Sequence, residues 1–505
     1  MIKYLLLFLL FCLLGFGYFS SNSKTSNLIT DEQYEHNEKF VSIKNGSFNV
    51  EGNPFHLMAI NFVTTLRMND TMMWPSVYSG YVPQHDFHAN NRDSCLNELK
   101  ATFVLIHDMG FNTVRITGIG EAEVQDKFTG RICFKGDYGT VYDKRFTMDT
   151  EEKYRQYFQA ISELLEAIDQ AGLKAILTLK VFPESRQTEE HLKKITAHFK
   201  NNSTILAYDF FNEPLYFDDK QRRKEDVHYF TKRWHEIVKS NAPDHLCTIG
   251  LACQREVFEW DPNIVDVDFI SFHPYEYELD QVRNELYWYY KYVKKPWIIG
   301  ETGIPSNNDS IPYENQSKFA NKTLIQNLNC GGLGYSWWQY KDVEWGGYHQ
   351  NYLGVMSANG ETVNSKGQKV AGTPKPMIKE IQNFDPKQKK GECYCPDNYY
   401  NFSSNNYFRI VGKVVDEENR PIDGAGILAW DQWWINHYFT TSKQDGSFEI
   451  YSDYKFYHWM VSPIDYEMVR ADINPDTAIN QNGILTIRLG TLQLNKIKLN
   501  SWWHQ

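Results

Sequence analysis

Residues 205–214 read Ile-Leu-Ala-Tyr-Asp-Phe-Phe-Asn-Glu-Pro, and residues 297–303 read Trp-Ile-Ile-Gly-Glu-Thr-Gly. Each is an apolar run of strand length that ends in polar groups, Asn212-Glu213 in one and Glu301 in the other. A carboxylate directly after a buried strand is costly unless it sits at a solvent-facing rim or is paired. Six further runs of the same kind are Leu57–Asn61, Thr113–Ile116, Lys174–Leu179, Cys247–Leu251, Phe269–His273 and Gly334–Trp338. Amphipathic stretches separate them, clearest at Cys95–Met109 before Gly110, Glu151–Ala171 before Gly172, and Asn315–Leu328 before Cys330. Glycine just past the last periodic residue is an ordinary helix stop.

This alternation spans residues 41–382 and predicts an α/β fold, one (β/α)8 (TIM) barrel, with its site at the C-terminal ends of the strands. A hairpin over 41–55, turning at Asn45-Gly46 and Gly52-Asn53, precedes the barrel. The segments 62–92 and 117–150 read as long loops on the C-terminal face. Residues 383–406, with Lys387–Lys390, Cys393 and Cys395, read as a linker. From 407 to 499 the pattern becomes period-two alternation, as in a small antiparallel β-sandwich. Its runs are Phe408–Val415, Pro421–Trp430, Tyr438–Thr441, Ser447–Tyr451 and Ile484–Leu489, with turns at Asp423-Gly424 and Asp445-Gly446.

The 505 residues carry a net charge of −11 and no block of Lys/Arg, which argues against nucleic acid or an anionic membrane as a partner. The 42% apolar and 23% charged composition is that of a folded chain. Aromatic residues reach 15%, which suits either sugar-stacking surfaces or simply an aromatic core. Residues 1–23 have one lysine and an apolar run from Tyr4 to Phe19, the pattern of a secretory signal peptide, with an uncleaved N-terminal anchor as the alternative. The expected location is therefore secreted, cell-surface or periplasmic. Of the eight cysteines, Cys12 lies in that segment, and the odd remainder leaves at least one thiol free or paired elsewhere. Cys393 and Cys395 are too close in sequence to bridge each other readily. No His/Cys cluster has zinc-site spacing, so no metal and no organic cofactor is expected. Sequons stand at Asn45, Asn69, Asn202, Asn315, Asn321 and Asn401.

Glutamates at the mouths of the fourth and seventh strands can converge on one bond, and paired carboxylates suit glycosidic cleavage. Each could instead act only as a first-turn acid for the helix that follows. The ordered set Arg115, Asn212-Glu213-Pro214, His273-Pro-Tyr275, Glu301 and Trp338 resembles glycoside hydrolase family 5, a retaining (β/α)8 group that includes cellulases and β-mannanases. The resemblance implies Glu213 as acid/base and Glu301 as nucleophile. It further implies Asn212 on the sugar 2-hydroxyl, Arg115 and Tyr275 holding Glu301 ionised, His273 against Glu213 or the sugar, and Trp338 under the reacting sugar. Singly, Arg115 could be a barrel ion-pair partner, His273 a strand-end histidine and Trp338 core filling beside Trp337. Lys180, after the third strand, departs from the His or other polar motif usual there. The segment Gly412–Ala425 with Asp445-Gly446-Ser-Phe448 is similar to carboxypeptidase regulatory-like domains.

The expected activity is a retaining endo-β-glycosidase hydrolysing a β-1,4-linked polysaccharide, glucan or mannan. A non-catalytic glycan-binding or adhesion protein, or an exo-acting or transglycosylating enzyme, are the alternatives. Trp74, Tyr78, Tyr81, Trp345, Tyr348 and Tyr352 are candidate sugar platforms, and Trp430, Trp433 and Trp434 are read as an inter-domain seam rather than a glycan patch. A retaining mechanism requires the two carboxyl groups roughly 5–5.5 Å apart, and an inverting one roughly 6.5–9.5 Å. Arg115 and Tyr275 should then sit beside Glu301 and not beside Glu213.

Overall fold

The computed structural model describes residues 37–81, 91–118, 123–124, 132–138, 141–218, 220–275, 279–344, 346–388 and 391–499. The expected N-terminal signal and Trp345 lie outside them. Eight parallel strands form the barrel: β1 Leu57–Met68, β2 Thr113–Thr117, β3 Lys174–Thr178, β4 Ile205–Asn212, β5 Leu246–Leu251, β6 Ile270–Phe272, β7 Trp297–Ile299 and β8 Gly334–Trp337. Each pairs with the next, and β8 pairs with β1 from Gly334↔Leu57 to Trp337↔Ile60, which closes the sheet. Helices α1 Arg92–Asp108, α2 Glu151–Gln170, α3 Arg186–Phe199, α4 Lys224–Asn241, α5 Gln254–Trp260, α6 Leu279–Tyr292 and α7 Tyr313–Asn329 alternate with the strands.

The helix starts follow local chemistry. Asn91, Thr150 and Ser185 each turn a side-chain oxygen back to an N–H in the first turn of α1, α2 and α3, satisfying a donor that the helix itself cannot pair. The N-terminal hairpin buries Val41 and Phe48 against Leu57, Leu206, Leu246, Phe269 and Ile298 at the strand starts. This apolar plug seals the lower end, so the cleft chemistry is confined to the upper one.

Two expected loops contain strands. β1 runs past Asn61 and turns back to pair antiparallel with Met73–Val77. Strands Ile132–Tyr138 and Val141–Thr147 pair in the second segment. Their ladders join the extended end of β1, which supplies backbone partners that a local reading of the sequence cannot see.

The C-terminal region has two four-stranded sheets. In chain order its strands are β9 Phe408–Val415, β10 Gly426–Trp430, β11 His437–Thr441, β12 Ser447–Ser452, β13 His458–Ser462, β14 Val469–Asp472, β15 Ile479–Gln481 and β16 Ile484–Gln493. The sheets run β12-β9-β16-β15 and β11-β10-β13-β14. The strands pair antiparallel, as expected, except that β9 and β16 are parallel, from Phe408↔Leu485 to Val415↔Gln493. Two strands as far apart in sequence as Phe408–Val415 and Ile484–Gln493 need no hairpin between them, so the antiparallel pattern expected from the local turns does not extend to this pair.

The second sheet packs on the barrel rather than standing apart. Leu428, Trp430, Phe439 and Met460 belong to the same buried cluster as Phe258 and Trp288 of α5 and α6. Gly426 lies so close to Phe258 that a Cβ there would meet the ring at 2.6 Å. Trp288 Nε1 donates to Gly424 O at 3.0 Å, Ser462 Oγ donates to Phe258 O at 2.7 Å, and Lys224 Nζ donates to Pro463 O at 2.6 Å. Cys330, just after α7, forms a disulfide with Cys393. The three tryptophans divide: Trp430 is buried and Trp434 half-buried in this seam, whereas Trp433 is 74% exposed.

Emptying the seam tests the docking. Phe258→Ala should cost about 3–5 kcal/mol of stability, the usual range for a buried phenylalanine. Calorimetry should show barrel and sandwich unfolding in one transition in the wild-type chain. Two separate transitions, with only noise-level change in the variant, would contradict a shared core.

Candidate active site

Arg115 of β2 is the hub of the upper end, and it is buried to 1% exposure. Its five N–H donors are all engaged. Nε and Nη2 reach Asp209 Oδ2 at 2.9 and 2.7 Å, Nη1 reaches Asn61 Oδ1 at 2.9 Å, and Nη2 reaches Asn212 Oδ1 at 2.7 Å. Nη1 also donates to Glu301 Oε1. Asn61 in turn donates Nδ2 to Gly300 O, Ser336 Oγ and Trp337 O at 2.9–3.1 Å, tying β1 to β7 and β8. Asp209 Oδ1 accepts from Gly250 N–H at 3.1 Å, tying β4 to β5. One guanidinium thus fixes side chains or backbone from most of the ring.

Glu213 follows β4 with φ of 53°, in the left-handed region that a glutamate occupies only at a cost of about 1 kcal/mol or more. Its N–H donates to Gly250 O at 3.0 Å, and its carbonyl accepts from Phe217 N–H at 3.1 Å in the short helix Pro214–Asp218. Those bonds hold the bend. Glu256 of α5, which the sequence reading passed over, accepts from the N–H groups of Leu215 and Ala252 and anchors that helix.

Glu213 Oε1 lies 3.0 Å from His273 Nδ1, and the same nitrogen lies 3.9 Å from Glu301 Oε1. One carboxylate oxygen of each glutamate and a ring nitrogen of His273 all fall within 4.8 Å of one another. Tyr275 donates its hydroxyl to Glu301 Oε2 at 2.6 Å. Arg115 and Tyr275 are therefore on Glu301, as the sequence reading expected, and neither is bonded to Glu213. Two glycines make room. A Cβ at Gly250 would meet His273 Cε1 at 2.7 Å, and one at Gly300 would meet Ser271 Oγ at 1.7 Å.

Burial pushes the Glu213 carboxyl up to about 7, with the charge of Arg115 acting against it and Asp209 adding to it. Burial also lowers His273 to about 4, so the imidazole is neutral. Glu301 corrects an expectation: burial raises its pKa rather than leaving it depressed, although His273, Arg115 and the Tyr275 hydroxyl all pull downward. The two carboxyls are coupled, and the pair shares its protons. Only Glu301 has a guanidinium and a phenol on its oxygens, whereas Glu213 faces the neutral His273.

Asn212 is half-buried, and its Nδ2 has no hydrogen bond among the described residues, so its amide donors remain for a ligand. Trp338 is half-buried after β8, with its N–H on Thr302 O at 2.9 Å and a cis peptide to Gln339. Trp337 is the core residue, with Nε1 on Leu353 O at 2.7 Å. The candidate platforms fare differently. Trp74 and Tyr81 are buried and structural, Tyr81 donating to Gln339 Oε1 at 2.7 Å. Tyr78, Tyr348 and Tyr352 are half-buried. Tyr216, 74% exposed, and Phe217, 44% exposed, lie in the short helix that follows Glu213 and escaped the reading. Asp209 and Asn61 also escaped it, although a polar residue within one apolar run and at the end of the other was the available signal.

Among the described residues, two groupings have donor atoms close enough for a cation. In Glu213, His273 and Glu301 the Arg115 guanidinium already neutralises Glu301. His235, Cys247 and Asp268 lie at the opposite end of the barrel, where Lys239 Nζ sits 2.8 Å from Asp268 Oδ2.

The sequence model of cellulase (glycosyl hydrolase family 5) matches residues 82–342, just over half of the chain. The chain belongs to glycosyl hydrolase family 5. It is a glycoside hydrolase. No curated protein matches the sequence. Among solved structures, a GH5_18 variant from Streptomyces cattleya in complex with Manβ1-4GlcNAc is 14% identical over 65% of this chain and 82% of that one, with a TM-score of 0.44. A glycoside hydrolase family 5 mannosidase from Rhizomucor miehei, in complex with mannosyl-fructose, is 12% identical over 68% of this chain and 96% of that one, TM-score 0.44. β-Glucuronidase 2 from Bacteroides uniformis, a calcium-binding mutant, is 14% identical over 89% of this chain, which spans only 48% of that one, TM-score 0.43.

Within this family 5 chain, Asp209 is the buried counter-charge on which Arg115 depends. Asp209→Asn should lower stability by about 3–5 kcal/mol, as breaking a buried ion pair does. Chemical denaturation measures this, and a loss below about 1 kcal/mol would remove Asp209 from the hub.

Proposed function

We propose that this hydrolase is a retaining endo-β-glycosidase acting on a β-1,4-linked polysaccharide, glucan or mannan. The observation that carries the retaining reading is the approach of the two carboxylate oxygens to within 4.8 Å, with Arg115 and Tyr275 on Glu301 alone. Glu301, ionised, attacks the anomeric carbon. Glu213, protonated, gives its proton to the departing glycosidic oxygen, and the sugar becomes esterified to Glu301. Glu213, now the base, takes a proton from water as that water attacks the same carbon. Two inversions return the original anomer. The Asn212 amide donates to the sugar 2-hydroxyl, and Trp338 lies under the ring. The exposed aromatic pair Tyr216–Phe217 beside Glu213 supports contact with sugars beyond the reacting one, as endo action requires.

The reading places the protein outside the cytoplasm, secreted or held at the cell surface or in the periplasm. The apolar N-terminal stretch 1–23 and the Cys330–Cys393 disulfide support this, because disulfides persist in oxidising compartments. The polysaccharide is the partner. The two four-stranded sheets of the C-terminal region support the carboxypeptidase regulatory-like reading of residues 407–499.

Turnover on a panel of glucans, mannans and xylans, with the product anomer followed by proton NMR, tests the mechanism. Glu213→Ala and Glu301→Ala should each lose several orders of magnitude in kcat. The first-formed product should keep the β configuration. Near-normal turnover in either variant, or an α product, would overturn the assignment.

The pH dependence follows from the raised Glu213. Its acid role needs the proton, so kcat/KM should fall as the pH rises through about 7. An enzyme whose rate instead rose across that interval would have another group as its acid.

A further inference from the structure

Lys180 follows β3 on a backbone that continues alongside β4. Leu179 N–H donates to Asp209 O at 2.7 Å and Val181 N–H to Phe210 O at 2.9 Å, which sets Lys180 opposite Phe211, two residues before Glu213. Its ammonium lies 4.9 Å from the ring centre of Phe217 and 5.3 Å from that of Phe182. Phe217 belongs to the short helix that starts directly after Glu213, so the ammonium and the acid share one rim.

The cations of the segment that follows the short helix, residues 220–224, are each paired with an acid. Lys220 and Arg222 pair with Glu184 at 2.9 and 3.2 Å, Arg222 also with Asp218, Arg223 with Asp226 at 2.9 Å, and Lys224 with Asp261 at 3.0 Å. Lys180 is half-buried and has no acidic partner or hydrogen bond among the described residues. Two aromatic faces attract an ammonium but accept none of its three N–H donors in the way an oxygen does. A charge partly withdrawn from water, with its donors unmatched, favours an anion. Beside it, Tyr216 and Phe217 offer exposed rings at 5.0 Å centroid separation, the type of surface on which a pyranose packs.

We propose that the substrate carries an anionic group, carboxylate or sulfate, on the sugar next to the cleaved bond on the Glu213 side, and that Lys180 is its counter-ion. This deepens the glycosidase reading and rests on Glu213 as the acid. Lys180 is a specificity residue and takes no part in bond breaking.

Matched pairs of substrates test it: a glucuronate-containing β-1,4-glycan with its carboxyl-reduced form, and a sulfated β-1,4-glycan with its desulfated form. The full chain should favour the charged member of at least one pair by roughly tenfold or more in kcat/KM, as for a charge-assisted hydrogen bond, and the preference should shrink as salt rises. The pair that shows the preference identifies the anion. Lys180→Met, which keeps the stem, should abolish the preference while leaving kcat on the neutral member within about twofold, the change expected of an ordinary surface substitution. Equal loss on both members would mean that Lys180 only bonds hydroxyls, and an equal or better rate on the neutral members with the wild-type chain would likewise overturn the proposal. Calorimetric binding of the same four glycans separates the two readings. Anion-selective binding without turnover counts against the catalytic reading alone. Absence of selective binding to either charged member overturns the role of Lys180, whatever the turnover.

Discussion

A buried guanidinium must find an acceptor for every N–H or the fold bears the cost of its desolvation. Arg115 meets that demand with Asp209, Asn61, Asn212 and Glu301, contributed by β1, β4 and the end of β7. The requirement is strict because the residue is buried inside the ring, beyond the reach of bulk water. It explains why polar side chains interrupt otherwise apolar strands at Asn61 and Asp209. It also explains the asymmetry between the two glutamates. The one that completes the guanidinium's shell has a cation and a phenol that oppose the upward push of burial, and the one left outside it, against a neutral histidine, is pushed up to about 7. Satisfaction of one buried cation and the different surroundings of the two carboxyls are thus a single electrostatic arrangement.

The strain at Glu213 belongs to the same arrangement. Its left-handed backbone carries the carboxyl off the line of β4 toward His273, and the backbone bonds to Gly250 and Phe217 keep it there. Gly250 and Gly300 matter for what they lack. With any side chain at either position, the histidine or the β6–β7 approach beneath it would have to move.

Much of this was legible in the sequence because a barrel strand announces itself locally. An apolar run, a polar terminus and a helix stop occur within a few dozen residues, and β4 was read to its exact ends at Ile205 and Asn212. The glutamates, Arg115, His273 and Tyr275 were legible through their order at strand ends. What escaped was decided by contacts distant in sequence. The strands within 117–150 depend on the extended β1, and the parallel β9–β16 pair joins Phe408–Val415 to Ile484–Gln493. Tyr216 and Phe217 escaped because an aromatic pair after the Asn-Glu-Pro stretch reads equally as core; only exposure separates the two. The direction of the Glu301 shift escaped because burial cannot be read from neighbours in sequence.

The seam between barrel and sandwich gives the disulfide a particular meaning. Cys393 sits partway along the connecting segment 383–406, and its partner Cys330 belongs to the barrel. Lys387, between the last barrel helix and Cys393, is exposed. A protease that cuts the chain there would leave everything from Cys393 onward still covalently joined to the barrel through sulfur, and still packed on α5 and α6. A chain nicked there would persist as a two-chain molecule, held both by the disulfide and by the packed seam, and its pieces would part only when both were undone.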